Sequence, residues 1–230
     1  VRIAIIPARG GSKRLPRKNI VQITGKPILT YPVKAALDSE LFNEVIVSSE
    51  DEKILEIARQ VGARAILRPR ELAQDHSTVV EVCLHIIDEF ARQKKMVSEF
   101  CCIYATALFL TVTDLRDSFR LLTSPPPSDF VMGVSHYDLH PVQALKRKGE
   151  YLTSMWPEYK GLQSQFYPDL VASNGTLYWA RVEAFRKTRS FYGDRLKGYE
   201  IPRGRAVDID TPEDLELARQ LAEQVLCGLK

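Results

Sequence analysis

The chain has 230 residues, 45% of them apolar and 27% charged, with a formal net charge of +3. That length suits one large domain, or one domain with a small appendage, and the composition is that of an ordinary soluble globular protein. No apolar run approaches the roughly 18 residues of a membrane-spanning helix, and so modest a net charge does not by itself call for nucleic acid.

The predicted elements alternate between strand and helix. "RIAIIP" (2–7) reads as a buried strand, and "ILTYPVKAALDS" (28–39) as a helix with Pro32 in its first turn. "EVIVSS" (44–49) is a strand, "DEKILEIARQVG" (51–62) a helix ending at Gly62, and "ARAILRP" (63–69) a short strand. "STVVEVCLHIIDEFARQ" (77–93) is a long amphipathic helix whose Thr78 and Glu81 have capping-box spacing. "FCCIYAT" (100–106) has the continuous apolar character of a central parallel strand. "TDLRDSFRLL" (113–122) is a helix and "DFVMGVS" (129–135) a strand. Residues 136–180 are less regular, with β-like pieces such as "ALKRKG" and "TLYWAR". "DIDTPEDLELARQLAEQVL" (208–226) closes the pattern, with Thr211 as N-cap, Pro212 at N1 and Asp214 at N3. The expected fold is α/β: a Rossmann-like, mostly parallel sheet with helices on both faces.

Four cysteines, Cys83, Cys101, Cys102 and Cys227, show neither C-x-x-C nor zinc spacing. Cys101 and Cys102 read as small buried hydrophobes. "VRIAII" is too short for a signal peptide and runs into charge. Val1 implies an initiator Met removed or left out of the numbering. A reducing cytoplasmic compartment, and no membrane, are expected.

The charge is unevenly placed. Eight basic residues precede the first acidic one, Asp38. Five of them (Arg9, Lys13, Arg14, Arg17 and Lys18) lie in "ARGGSKRLPRKN", residues 8–19, straight after the first strand. In such folds ligands sit outside the C-terminal ends of the strands. Gly10 and Gly11 permit close backbone approach, and successive N–H groups there would form an anion nest. Arg9, Lys13 and Lys18 would neutralise a triphosphate. Neither a P-loop nor a dinucleotide fingerprint is present. The competing reading is a solvated basic loop, and the glycine pair after a buried strand favours phosphate.

"VDID" sets Asp208 and Asp210 on one side of an extended segment. Two carboxylates so placed make an oxygen site for Mg²⁺, which takes one or two carboxylates plus phosphate oxygens and water. Capping of the following helix is the alternative, and on these residues alone the commoner one.

"IPARGGSKRLPRKNI" resembles the signature loop of the cytidylyltransferases that activate sialic-acid-like nine-carbon sugars. The resemblance continues through "GKPILTYPVKAA", "EVIVSSED", "RPRELAQD" and "VDIDTPEDLELA", and so covers nearly the whole chain in order. "CCIYATA" resembles the branch acting on pseudaminic acid rather than the sialic acid branch, which usually carries Gln-Pro-Thr-Ser-Pro there. The resemblance implies a Rossmann-like domain spanning residues 1–230, with 136–190 as a small dimerisation and sugar-binding excursion, CTP and Mg²⁺ as partners, and a homodimer. With it, the metal reading of Asp208 and Asp210 prevails.

The same resemblance gives Arg9, Lys13 and Lys18 catalytic roles. It places Ala8, Gly10, Gly11, Ser12, Asn19, Arg68, Asp75 and Thr106 around the nucleotide. For Arg68 a structural ion pair is the equal alternative, and for Asn19 a turn-forming role. The candidates for the sugar are Tyr104, His140, Gln143, Gln163, Ser164, Gln165 and Asn174. His140 more often packs or caps than catalyses, and Tyr178 and Trp179 read as core or dimer contacts. Three departures leave the sugar open: Gln143 where the sialic enzymes carry Lys, Gln163 where the pseudaminate branch carries Arg, and "SNGTLYW" for "DAGQFYW".

The expected reaction is attack of an acidic sugar's anomeric hydroxyl on the α-phosphorus of CTP, releasing pyrophosphate. The alternatives are a cytidylyltransferase for the eight-carbon lipopolysaccharide sugar and a non-catalytic nucleotide- or RNA-binding module. The absence of any aromatic residue from 8–19 counts against RNA.

Overall fold

A computed structural model describes residues 1–227. The chain runs β1 (Arg2–Pro7), a small hairpin of β2 (Gln22–Ile23) and β3 (Lys26–Pro27), α1 (Thr30–Asp38), β4 (Glu44–Ser49), α2 (Glu52–Gln60) and β5 (Arg64–Leu67). It continues through α3 (Val79–Arg92), β6 (Glu99–Ile103), α4 (Val112–Thr123) and β7 (Phe130–His136). A second hairpin, β8 (Leu145–Lys148) and β9 (Tyr151–Ser154), precedes β10 (Val171–Arg181), α5 (Val182–Thr188), β11 (Leu196–Glu200) and α6 (Pro212–Cys227).

Seven strands form one sheet in the order β11-β7-β10-β6-β1-β4-β5. Every pairing is parallel except those that β10 makes with β6 and β7. Side chains alternate across a strand, and β1 divides accordingly. Ala4 and Ile6 face the core under α1, α2 and α4, while Ile3 and Ile5 face the core under α3 and α5. A third apolar cluster lies at the sheet's edge: Leu15, Ile23, Ile28, Leu108, Phe109 and Ile209 pack with Leu215, Ala218 and Ala222 of α6.

The predicted caps are present. The Thr78 Oγ1 accepts from the Glu81 N–H (3.2 Å), and Glu81 accepts from the Thr78 N–H (2.7 Å). Thr211 and Asp214 exchange the same pair of bonds. Cys83, Cys101 and Cys102 are buried free thiols, and Trp179 is core, stacked on Phe42 and donating to the Ser118 Oγ at 2.9 Å. No helix among the described residues is long and apolar enough to cross a membrane.

The irregular stretch differs from its sequence reading. The departure from the main sheet spans only 137–170, and the "TLYWAR" piece belongs to β10, which returns antiparallel between β6 and β7. The chain leaves β7 at the C-terminal edge of the sheet and re-enters from that edge, so the returning strand must run backwards.

A buried ion pair fastens the far side. Asp114, 2% exposed, caps α4 against Thr111 and receives both guanidinium nitrogens of Arg205, at 2.6 and 3.0 Å. The Tyr199 hydroxyl donates to the same carboxylate (3.0 Å). Burial alone would raise the Asp114 carboxyl, but the bonds from Arg205 and Thr111 outweigh it and hold it below its ordinary range. A depressed carboxyl contributes stability above its unfolded pKa and loses it as pH falls through the folded value. Asp114→Asn is therefore expected to cost about 2–3 kcal/mol at neutral pH, with the gap to wild type closing below about pH 4; urea melts across pH 3–8 read it.

Candidate active site

β1 delivers the basic loop to the C-terminal edge of the sheet. Within residues 8–19 only Ala8, Leu15 and Asn19 are buried, so the loop is held by these three and its cations stay outside. Leu15 plugs into the third apolar cluster. The Asn19 Nδ2 donates to the Arg9 carbonyl (2.8 Å) and closes the loop across its neck, a longer reach than the local turn bond expected of an Asn.

Alternate N–H groups of the expected anion nest already have partners within the protein. The Ala8 N–H donates to the Ser48 carbonyl (3.0 Å), the Gly10 N–H to the Glu50 Oε1 (2.7 Å) and the Ser12 N–H to the Gly10 carbonyl (3.2 Å). Glu50 follows β4 directly and reaches the neighbouring strand's loop, which the spacing within residues 8–19 cannot reveal. The two glycines also differ. A Cβ on Gly10 would meet the Asp51 Oδ2 at 2.8 Å and Cβ at 2.9 Å, whereas one on Gly11 would meet nothing within 4 Å.

Each loop cation has an acidic partner. Arg9 pairs with Asp75 at 3.0 Å, and Lys13 bonds the other oxygen of the same carboxylate. Lys18 pairs with Asp210 at 2.6 Å, joined there by Arg14. Arg17 lies 3.7 Å from Asp51. The bonds from Lys13 and Arg9 hold the exposed Asp75 carboxyl below its usual range, and the bond from Lys18 does the same for Asp210. Asp208 moves the other way: desolvation by the protein around it and the adjacent Asp210 charge both raise it.

A cleft of about 230 Å³ opens beside the loop. Arg9, Lys18, Asn19, Arg68, Asp75, Tyr104 and Thr106 line it, together with Ser77, Thr78, Val79 and Val82 at the start of α3. The Arg68 side chain is buried. Its two terminal nitrogens donate to the carbonyls of Ser48 (2.6 Å) and Leu72 (3.2 Å), while its Nε has no partner. It braces the ends of β4 and β5 and presents a cation to the cleft. Burial lowers its guanidinium pKa and Glu50 partly offsets that, so the group stays a cation.

The proposed sugar residues separate into two groups. Tyr104 lines the cleft, and Asn174 sits beside it on the bulge of β10: Gly175, its neighbour, lies under the Tyr104 ring. The Asn174 side chain is spent on local bonds, from its Nδ2 to Ser135 and from the Thr176 N–H to its Oδ1. His140, Gln143, Gln163, Ser164 and Gln165 do not line this cleft. They lie on the 137–170 excursion. There Gln143 faces a groove against β9 and Gln165 donates to Gln163 (2.7 Å). Both His140 nitrogens are engaged. Nδ1 accepts from the Val142 N–H, so Nε2 is the protonated atom that meets the Pro168 carbonyl at 2.9 Å. His140 is a cap, packed on Tyr167.

Sequence reasoning gave no place at the site to Glu50, Asp51 or Arg14, nor to the cleft residues at the start of α3. "SSED" contains the first two and directly follows a predicted strand, the position at which an α/β sheet offers side chains to a ligand.

Comparison with known proteins gives a consistent picture. The chain is 32% identical over 95% of both chains to a pseudaminic acid cytidylyltransferase of Campylobacter jejuni. It is 30% identical to the N-acylneuraminate cytidylyltransferase of Escherichia coli, covering 94% of this chain and 51% of that longer protein. The fold matches the structure of CMP:2-keto-3-deoxy-manno-octonic acid synthetase complexed with CTP (TM-score 0.71, 19% identity, 97% of this chain and 98% of that one). It also matches 4-diphosphocytidyl-2C-methyl-D-erythritol synthase from Anaerococcus prevotii (TM-score 0.64, 12% identity, 96% of each). Residues 3–227 match the family described as cytidylyltransferase, and the chain belongs to that family.

Proposed function

We propose that this cytidylyltransferase joins CTP to an acidic nine-carbon 2-keto sugar of the pseudaminic or sialic type, giving a CMP-sugar and pyrophosphate. The observation that carries the reading is the meeting of Lys18 with Asp210. It brings the cationic loop and the carboxylate pair, 192 residues apart in sequence, to one place beside the cleft. The similarity to pseudaminic acid cytidylyltransferase over nearly the full length of both chains supports the nine-carbon class. The likeness to the eight-carbon sugar enzyme, at 19% identity, speaks only for the fold.

Binding exchanges one set of ion pairs for another. A triphosphate entering the cleft replaces Asp75 as the partner of Arg9 and Lys13, and replaces Asp210 as the partner of Lys18. These cations then sit where negative charge grows as the anomeric hydroxyl attacks the α-phosphorus and pyrophosphate leaves. The rest of the task is positioning, supplied by the cleft walls.

The donor set suits Mg²⁺. Asp208 and Asp210 flank the fully buried Ile209, and Asp208 is raised in part by the charge of Asp210, a repulsion that a cation relieves. Among the described residues no group of three His, Cys, Asp or Glu side chains forms a metal cage. Magnesium takes one or two carboxylates and completes its shell with phosphate oxygens and water. Bound there, Mg²⁺ would supply charge to the phosphates and acidity to the attacking hydroxyl. The bond from Lys18 favours the ionised form of Asp210.

The 137–170 excursion supports a homodimer. Leu139, Tyr151 and Phe166 are 80%, 77% and 65% exposed there, a concentration of bare apolar side chains that a second copy would cover. In that arrangement Gln143 and Gln163 to Gln165 serve the partner's cleft. The buried free thiols support a cytoplasmic setting.

Pyrophosphate release with CTP and Mg²⁺, offered pseudaminic, legionaminic, N-acetylneuraminic and the eight-carbon acid separately, is expected with a nine-carbon sugar; release with the eight-carbon acid alone overturns the substrate class. Arg9→Ala and Asp210→Ala are expected to lower turnover at least about 100-fold with unchanged circular dichroism. Light scattering should give twice the chain mass, and Tyr151→Glu with Phe166→Glu should halve it. Gly10→Ala should cost about 1–3 kcal/mol of stability through its clash with Asp51, and Gly11→Ala less than about 0.5 kcal/mol, both read by thermal melts of the ligand-free protein.

A further inference from the structure

Asp208 and Asp210 stand on residues 206–210, a segment with neither helix nor strand hydrogen bonding. Two carboxylates that share one cation must hold their separation closely, so something other than a backbone ladder fixes this segment. Two contacts do. Ile209, fully buried, is pegged between Leu108 and Phe109 and the α6 side chains. Arg205, three residues before Asp208, is held by both its terminal nitrogens on Asp114 and also donates to the Phe109 carbonyl (3.3 Å). Asp114 is itself immobilised by Thr111 and Tyr199.

Arg205 therefore joins three parts: the α4 N-terminus, the segment that carries the carboxylates, and the loop running from Tyr104 and Thr106, which line the cleft, to Phe109. It does not line the cleft. A guanidinium fork on a carboxylate fixes direction as well as distance, which an ammonium cannot do.

We propose that the Arg205–Asp114 pair is the positioning device for the metal-binding carboxylates, setting Asp208 and Asp210 against the cleft wall while touching neither the nucleotide nor the ion. The inference rests on the reading of Asp208 and Asp210 as ligands of Mg²⁺. Groups that orient metal ligands from behind typically change metal affinity about 10–100-fold when removed. The effect belongs to the metal and leaves the nucleotide's own contacts intact.

The test is calorimetric titration of CTP into the protein with and without Mg²⁺. The ratio of the two dissociation constants is the coupling between metal and nucleotide. In Arg205→Lys that coupling should fall about 10-fold, with metal-free CTP affinity within about twofold of wild type. Tyr199→Phe, which removes one bond to Asp114 and leaves Arg205 in place, should lose less in the same direction; it carries the test if Arg205→Lys does not fold. Asp208→Asn is the reference and should abolish the coupling. Wild-type coupling in both Arg205→Lys and Tyr199→Phe, with Asp208→Asn defective, makes the pair merely structural and overturns the proposal. Full coupling in Asp208→Asn shows instead that the metal reading was wrong, and the inference falls with it.

Discussion

The third apolar cluster is the constraint on which the site depends. Leu15 comes from the cationic loop, Leu108 and Phe109 from the loop that begins at the cleft wall, Ile209 from the carboxylate segment, and Leu215, Ala218 and Ala222 from α6. Apart from α6, these segments are neither regular strands nor helices. Each contributes one or two apolar side chains to a common core, and that core holds them in mutual register. Burying a Leu or Ile contributes about 1.5–3 kcal/mol, which is more than an exposed ion pair supplies. The cations of the loop are thus displayed by hydrophobic pegs and are not held in place by their own exposed pairs.

This division explains how so cationic a loop coexists with a folded, ligand-free protein. Arg9 and Lys13 share Asp75, while Lys18 and Arg14 share Asp210. Solvent screening keeps pairs of this kind weak, enough to damp repulsion within the loop while leaving its cations free to exchange partners. Asp114 with Arg205 belongs to another class. It is buried, bidentate and reinforced by Tyr199, whose hydroxyl is pushed up to about 12 by burial and by the neighbouring carboxylate. Weak pairs thus serve the cationic loop, and a strong pair ties α4 to the segment that leads into the carboxylates.

Local features were legible in the sequence and tertiary ones were not. Thr78 with Glu81 and Thr211 with Asp214 declared their helices because a cap is written within four residues. The apolar run at 100–103 declared a central strand. The direction of β10 was hidden, since an apolar strand reads alike in either sense. The hydrogen bond from Gly10 to Glu50 and the fork from Arg205 to Asp114 span 40 and 91 residues, and no spacing rule reaches so far. Asp208 and Asp210 were visible as a pair, but the peg between them became meaningful only with the Leu108 and Phe109 pocket in view. His140 shows the converse: a residue type suggestive of chemistry, used here to close a turn.

The antiparallel return of β10 carries a consequence for how such a protein can diversify. Because the chain both departs from and comes back to the same edge of the sheet, the 137–170 excursion is a closed detour whose two ends, His136 and Val171, are paired neighbours. Residues can be added to it or removed without shifting the register of any sheet strand, and without moving the cationic loop, the carboxylates or the pegs beneath them. The cleft and its charged rim are thereby insulated from change in the excursion, because the sheet and its small edge core do not feel the length of that segment.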